Sequence, residues 1–140
     1  MARIIIATHG ALSKGLLDSM RMVSGDVADG VETFSLELGA NPNDYYEELR
    51  PRIEADAGEQ YVILCDIKGG SVHTALMRLL DLPNVALFSG VTLGMALEVA
   101  LTCRDGLTPV DAARIVDEAR EGVTALMGGS EPDAGEDEDF

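Results

Sequence analysis

The sequence predicts a three-layer α/β/α domain with a mainly parallel four-stranded sheet. Four short apolar runs alternate with stretches of helical periodicity, and this alternation is typical of parallel sheets that helices cover on both faces. The chain has 140 residues, the size of one ordinary domain. Its apolar fraction of 46% with only 4% aromatic residues indicates one aliphatic core. We expect the common strand order 2-1-3-4.

The first half of the chain predicts two strands and two helices. The run Ile4–Thr8 is the first strand, and residues 31–38, with alternating polarity, are a half-exposed second strand. Asn41 and Pro42 are suited to the cap and first position of the second helix, which Pro51 should kink or interrupt. The first helix should bury one stripe and end near Gly25: Leu12, Leu16, Met20 and Val23.

The second half predicts two more strands, each followed by a helix, and then a final helix. The apolar run Tyr61–Cys65 is typical of a central strand that is buried on both faces, and Val85–Phe88 is the fourth strand. Thr108 and Pro109 should begin the last helix. The stripes that these helices should bury are Val72, Ala75, Leu76 and Leu79; Leu93, Leu97 and Leu101; and Val116, Ala119 and Val123.

The net charge of −15 is partly local, because six of the 25 acidic residues follow Ser130 with no basic residue among them. We therefore divide the chain into a folded domain, residues 1–129, and an acidic disordered tail, residues 130–140. The domain itself has no basic cluster, which disfavours nucleic acid and anionic membranes as partners. No targeting or membrane segment is visible. Cys65 and Cys103 lack metal-ligand spacing and are expected to be reduced core residues of a cytosolic protein.

Polar residues follow two neighbouring strands of the predicted sheet. His9 follows the first strand, Asp66 follows the third, and a Gly69-Gly70-Ser71 turn precedes the next helix. The carboxyl ends of these strands should border the ligand crevice, so the three groups should meet there. Two glycines let a backbone approach a ligand closely, and a helix N-terminus with a serine hydroxyl favours an anion.

This set of groups suits phosphoryl transfer through histidine. A neutral imidazole is a good nucleophile near neutral pH, and a carboxylate can fix its tautomer and favour the charge that develops on the ring. The Gly69-Gly70-Ser71 amides can hold phosphoryl oxygens. No nucleotide-binding glycine loop is present, and a phosphoprotein donor would need neither a cofactor nor a metal.

Three motifs carry a family resemblance over residues 1 to about 127. The stretches IIIATHGALSKGLLDSMRMVSG, LCDIKGGSVHTAL and LFSGVTLGMALE resemble the enzyme IIA component of the mannose/fructose/sorbose class of the bacterial phosphoenolpyruvate-dependent sugar phosphotransferase system. The resemblance implies that His9 is phosphorylated, that Asp66 orients its ring, and that Gly69, Gly70 and Ser71 lie against the phosphate.

The resemblance also implies partners. A phosphotransferase of this family accepts its phosphoryl group from the phosphorylated histidine phosphocarrier protein and passes it to an enzyme IIB, which serves the membrane permease components IIC and IID. Members are cytoplasmic homodimers that can exchange a C-terminal strand, for which residues 123–127 are the candidate here.

The chain departs from the family pattern around the site. Lys68 replaces an aromatic or apolar residue, Val72-His73-Thr74 replaces Pro-Phe-Asn, and the later loop has Thr92 and Gly94 where Asn and Pro are usual. We interpret Thr8, Lys68, His73 and Thr92 as candidate partner contacts. His73 as a second phosphorylation site, or as part of a metal site with His9 and Asp66, has less support from the pattern.

Three alternatives remain at this stage. A regulatory binding module could use the same fold without turnover, although a complete His9, Asp66 and Gly-Gly-Ser set argues against it. A receiver-like domain would be phosphorylated on Asp66, but receivers need acidic residues where this chain has Thr8 and His9. A phosphohistidine protein could instead feed a dihydroxyacetone kinase.

Overall fold

A computed structural model describes residues 2–129 as a parallel sheet between two layers of helices. The strands are β1 (Ala2–His9), β2 (Glu32–Leu36), β3 (Gln60–Cys65) and β4 (Val85–Phe88), all parallel in the order β2-β1-β3-β4. The predicted fold class and strand order are confirmed. The helices are α1 (Leu12–Ser24), α2 (Pro42–Ala55), α3 (Ser71–Met77), α4 (Leu93–Thr102) and α5 (Pro109–Glu121), with short 3₁₀ turns after α1, α3 and α4.

The core has two halves, one on each face of the sheet. On one face, Ile6 and Leu64 pack against α1, α4 and α5. On the other face, Ile5 and Ile63 pack against α2 and α3. β3 is buried on both faces from Tyr61 to Cys65, which confirms it as a central strand. Each fully buried Ile or Leu stabilises the fold by roughly 1.5–3 kcal/mol, so the two inner strands account for much of the driving force.

Two helix starts follow the sequence prediction, and the predicted interruption of α2 at Pro51 does not occur. The Asn41 side chain accepts the Asn43 N–H ahead of α2, and Thr108 and Asp111 cap α5 reciprocally. α2 nevertheless continues through Pro51, where we expected a kink or interruption. Pro51 is exposed, so water can hydrogen-bond the carbonyl that loses its partner. Buried Leu49 and Ile53 on either side hold the helix against the sheet.

The predicted stripes of α1 and α4 are correct only in part. In α1, Met20 is buried as expected, but Leu12 and Val23 are 50% and 61% exposed, and the unpredicted Ser13 is buried. In α4, Leu101 is exposed, and the buried side chains lie beside the leucine row: Met95, Ala96, Val99 and Ala100. Residues spaced by four turn about 40° per step around a helix, so the ends of such a row leave the buried face.

Both cysteines are free and buried, as predicted. Burial raises the pKa of the Cys65 thiol to about 12 and that of Cys103 to about 11, which leaves neither as a reactive thiolate. Within residues 2–129, no helix has the length and apolar character needed to span a bilayer.

The C-terminal strand was expected as an element exchanged within a dimer, and it stays a prediction. Residues 123–127 form no strand within this single chain, and Val123 is 73% exposed. The predicted acidic tail, residues 130–140, lies outside the described residues.

Candidate functional site

The candidate site lies where β1 and β3 end side by side. Ala7 is opposite Cys65 in the parallel register, so His9 and Asp66 follow at adjacent strand ends. Gly10 turns the chain out of β1 with φ +56°, and its N–H donates to the Leu36 carbonyl at 2.8 Å. The turn fixes the backbone immediately after His9. The structure thus brings together two residues that are 57 positions apart.

Asp66 holds the His9 ring in one orientation. Its Oδ2 accepts the His9 backbone N–H at 3.0 Å and lies 3.0 Å from the ring Nδ1, while Oδ1 accepts the Ile67 N–H at 3.0 Å. Burial would raise the pKa of Asp66, but the hydrogen bonds from the backbone and ring of His9 outweigh it and hold that pKa below its ordinary value. An ionised carboxylate only accepts hydrogen bonds, so the ring proton is on Nδ1.

The other ring nitrogen faces the serine of the predicted turn. The Ser71 Oγ lies 3.1 Å from Nε2 of His9, and because the ring proton is on Nδ1, the hydroxyl donates to the Nε2 lone pair. The His9 side chain is 41% exposed, whereas that of Asp66 is 8% exposed. The ring is therefore fixed from its buried side, while its other side is open to solvent.

The Gly69-Gly70 turn lies directly against the ring. Gly69 has φ +77°, a conformation that favours glycine. A Cβ atom on Gly70 would lie 3.3 Å from Cε1 of His9 and 3.2 Å from the Ile67 carbonyl oxygen. The Gly69 N–H donates to Nδ1 of His73 at 3.1 Å, and the Gly70 N–H donates to the Ile67 carbonyl at 3.1 Å. Both amides thus have partners within the protein, His73 of α3 and Ile67 of the loop, and their role as phosphate ligands stays a prediction.

A buried polar cluster behind His9 was missed by the sequence analysis. The Thr8 Oγ1 accepts the Ser13 N–H at 2.8 Å, and the Ser13 hydroxyl donates to the Phe34 carbonyl at 3.0 Å and contacts the Ser35 hydroxyl at 3.0 Å. The cluster joins β1, α1 and β2 just below the site. Ser13 lies on the apolar side of α1, and a polar residue at such a position is the sequence feature that could have indicated the cluster.

The position of Thr8 corrects its interpretation as a partner contact. Thr8 is fully buried, and its hydroxyl is used inside the protein, so it does not reach a partner from this position.

The three other candidate contacts, Lys68, Thr92 and His73, differ in exposure and in their hydrogen bonds. Lys68 is exposed and lines a groove with Ser89 and Thr92. Thr92 is also exposed, and its hydroxyl accepts the Met95 N–H as the cap of α4. His73 is half-buried in α3, and its Nδ1 accepts the Gly69 N–H.

Two exposed apolar side chains follow the strand ends that carry His9 and Asp66, and the sequence analysis did not assign them to the site. Leu12 at the start of α1 is 50% exposed, and Ile67 after β3 is 57% exposed. They add apolar surface at this end of the sheet. No cluster of three potential His, Cys, Asp or Glu metal ligands occurs between residues 2 and 129.

Comparisons with known proteins agree on one family. The family model described as EIIA-man, PTS system fructose IIA component, matches residues 3–119. The PTS system sorbose-specific EIIA component of Klebsiella pneumoniae is 33% identical over 100 residues, which are 71% of this chain and 73% of that protein.

Solved structures with the same fold include two from this transport system. The mannose/sorbose specific IIA subunit from Enterococcus faecalis superposes with a TM-score of 0.77 at 21% identity, over 94% of this chain and 98% of that one. The EIIA component from Streptococcus agalactiae gives a TM-score of 0.76 at 22% identity, over 89% of this chain and 97% of that one.

Proposed function

This chain belongs to the EIIA-man family, a sugar phosphotransferase system EIIA component, and we propose that it carries a phosphoryl group on Nε2 of His9. The phosphoryl donor is the phosphorylated histidine phosphocarrier protein, and the acceptor is an enzyme IIB that serves the membrane permease components IIC and IID. The protein works in the cytoplasm, where it can meet both. Its catalytic residues are His9 and Asp66, with Ser71, Gly69 and Gly70 beside the phosphoryl group.

The proposed reaction is an exchange of one phosphorus–nitrogen bond for another. The Nε2 lone pair of His9 attacks the phosphorus, and the bond from phosphorus to the donor's ring nitrogen breaks, returning its electron pair to that nitrogen. The Nδ1 proton stays in its hydrogen bond with Asp66, so the phosphorylated ring is cationic. The same steps in reverse transfer the group to the acceptor.

Two neighbours of the ring support this step. The ionised Asp66 keeps the proton on Nδ1 and stabilises the positive charge that develops on the ring as Nε2 forms its bond. The Ser71 hydroxyl, which donates to Nε2 in the unphosphorylated protein, can turn to donate to a phosphoryl oxygen instead. Because the reaction is mostly positioning and charge stabilisation, these fixed groups supply what it needs.

The observation that carries the proposal is the contact between Oδ2 of Asp66 and Nδ1 of His9, which leaves Nε2 on the solvent side. The test is incubation with phosphoenolpyruvate, enzyme I and the phosphocarrier protein, followed by peptide mapping. We expect acid-labile phosphate on His9, none in His9→Ala and none in His9→Gln. The partly exposed ring should be replaceable with little loss of stability.

Other results of this experiment would favour the alternatives. A wild-type protein that takes up no phosphate would contradict the proposal and favour a regulatory binding module. Phosphate that persists in His9→Ala would favour acylphosphate chemistry on Asp66. Phosphorylated protein that supplies a dihydroxyacetone kinase but no enzyme IIB would contradict the proposed acceptor.

We also propose a homodimer in which residues 123–127 pair antiparallel with the edge strand β4 of a second copy. β4 is an edge strand of the sheet that the described residues form, and exposed strand edges accept further strands. Residues 123–127 are mostly apolar and belong to no helix or strand, and Leu126 and Met127 are 87% and 76% exposed. Light scattering should give a dimer for the full chain and a monomer after truncation at Gly122. A monomeric full chain would contradict the exchange.

A further inference from the structure

Two side chains of α3 hold the loop that borders the reactive histidine. Nδ1 of His73 accepts the Gly69 N–H at 3.1 Å, and the Thr74 hydroxyl donates to the Gly69 carbonyl at 3.3 Å. The N–H and the carbonyl of Gly69 are thereby both hydrogen-bonded to side chains of α3. Glycine is the most freely moving residue in an unconstrained chain, so a Gly69-Gly70 pair keeps one conformation only if such bonds hold it.

The conformation of this loop determines what surrounds the His9 ring. Gly70 approaches the ring so closely that a Cβ would lie 3.3 Å from Cε1, and Ser71, next in sequence, places its Oγ 3.1 Å from Nε2. Asp66 contacts the opposite ring nitrogen. The loop therefore lies against one side of the ring, and movement of Gly69 would shift both contacts at once.

We propose that His73 is a positioning residue that acts on His9 through Gly69, and this inference rests on the proposed function. Its neutral ring accepts the Gly69 N–H with Nδ1, so its own proton is on Nε2. The bond keeps Gly70 and Ser71 against the His9 ring, in the geometry that transfer requires. His73 is half-buried, and its hydrogen bond to Gly69 gives it a role inside the protein. Its interpretation as a partner contact did not include this role.

The chemistry of the bond defines which substitutions should preserve it. The Asn side-chain oxygen lies at about the same distance from the backbone as Nδ1 of histidine, so His73→Asn can still accept the Gly69 N–H. Alanine has no acceptor, and the oxygen of His73→Gln lies one bond further away. Loss of such a hydrogen bond would release the loop, and small misplacements at a reacting centre slow catalysis strongly.

The first measurement is nuclear magnetic resonance of the unphosphorylated full chain. We expect His73→Ala to shift the Gly69 amide resonance, to speed its hydrogen exchange about tenfold and to shift the Cε1–H resonance of His9. His73→Asn should keep all three signals near wild type. The control is Met77→Ala, which removes a 47% exposed side chain one turn further along the same helix face. Unchanged Gly69 and His9 signals in His73→Ala would overturn the inference.

The second measurement is the rate of phosphoryl transfer from the phosphocarrier protein. His73→Ala and His73→Gln should lower kcat about tenfold with KM changed less than twofold, and His73→Asn should restore most of the loss. A raised KM with unchanged kcat would overturn the positioning role in favour of a partner contact. If the wild type accepts no phosphate, the proposed function fails, while the resonance measurement still decides whether His73 places the His9 ring.

Discussion

One oxygen of Asp66 holds His9 in two places: Oδ2 accepts the backbone N–H of His9 at 3.0 Å and contacts its ring Nδ1 at 3.0 Å. The main chain at the end of β1 and the reactive ring are therefore both fixed to the end of β3. Because the other carboxylate oxygen accepts the Ile67 N–H, the carboxylate itself cannot turn without losing a bond. The orientation of the ring thus depends on a group that is fixed on both sides.

Replacing Asp66 with asparagine should slow transfer strongly and keep the fold. The amide has one acceptor oxygen for three N–H donors, so at least one donor loses its partner, and the negative charge beside the ring is lost. We expect phosphorylation to slow at least about 100-fold and the free energy of unfolding to fall by about 1–3 kcal/mol. Quench-flow phosphorylation and urea unfolding measure the two effects.

The matched control is Asp81→Asn, which removes another carboxylate that pairs with Arg50 at the surface. Its transfer rate should match that of the wild type, because this pair lies outside the site. Wild-type transfer kinetics in Asp66→Asn itself would show that the carboxylate does not orient the ring.

The same carboxylate should make stability depend on pH in a defined direction. The pKa of Asp66 is lower in the folded chain than its ordinary value of about 3.9, so the unfolded chain binds more protons in acid. The stabilisation from Asp66 is therefore complete above its unfolded pKa and is lost as pH falls through the folded pKa.

The stability difference between wild type and Asp66→Asn isolates this effect from the other acidic groups. It should be constant above about pH 5 and should shrink as pH falls below about 4. Thermal unfolding across this range measures it. A difference that stays constant into strong acid would mean that the pKa of Asp66 is not lowered by folding.

The sequence was sufficient to predict the sheet order and the meeting of His9 with Asp66, because both follow from the geometry of parallel strands. Strand ends face one edge, and the apolar run Tyr61–Cys65 marks the central strand. It was not sufficient for contacts that depend on side-chain direction. The burial of Thr8 could not be predicted without knowing the path of α1, because the Thr8 hydroxyl accepts the N–H of Ser13, five residues away.

The roles of the two glycines could not be resolved from the sequence for a similar reason. A Gly-Gly pair before a helix is consistent with phosphate-binding amides or with a tight turn. The structure adds that the Gly69 N–H bonds to His73 and that Gly70 makes room for His9. Both facts depend on distances between residues in space rather than on spacing in the chain.

Gly70→Ala should slow transfer because its new methyl group would crowd the reactive ring. Gly70 has φ −67°, so alanine brings no backbone strain, but its Cβ would lie 3.2 Å from the Ile67 carbonyl and 3.3 Å from the His9 ring. We expect about a tenfold loss of rate and a destabilisation of about 1 kcal/mol.

The control for Gly70→Ala is Gly15→Ala in α1, where a Cβ meets open space. Alanine at this helical position should stabilise the fold by about 0.5–1 kcal/mol. Phosphorylation assays and urea unfolding of both variants test the comparison. A Gly70→Ala protein with the wild-type rate would show that the close approach of loop and ring has no part in transfer.

Removal of residues 130–140 should leave transfer and stability unchanged. The site is built entirely from residues before Gly129, and the removed segment carries six acidic residues and no basic one. We propose that residues 1–129 are the functional domain. The transfer rates of the full and truncated chains should agree within about twofold at low and high salt. A large loss of rate at low salt would mean that the tail binds a basic partner.

Substitution of Ser71 should change the equilibrium of transfer more than the fold. Its hydroxyl lies 3.1 Å from Nε2 and, once the phosphoryl group has arrived, can donate to one of its oxygens. Ser71→Ala removes a neutral hydrogen bond from the free protein and a charge-assisted one from the phosphorylated protein. The difference of about 1 kcal/mol should shift the equilibrium constant about fivefold toward the donor.

Ser71→Thr is the matched variant, because it keeps the hydroxyl and Ser71 is exposed enough to accept an extra methyl group. Its equilibrium constant should remain close to that of the wild type. Titration of each protein with phosphorylated carrier, followed by separation of the phosphorylated forms, gives the constant directly. If Ser71→Ala and the wild type share one equilibrium constant, the hydroxyl does not favour the phosphorylated state over the free one, and the stabilisation of the phosphorylated state must come from Asp66 and the loop alone.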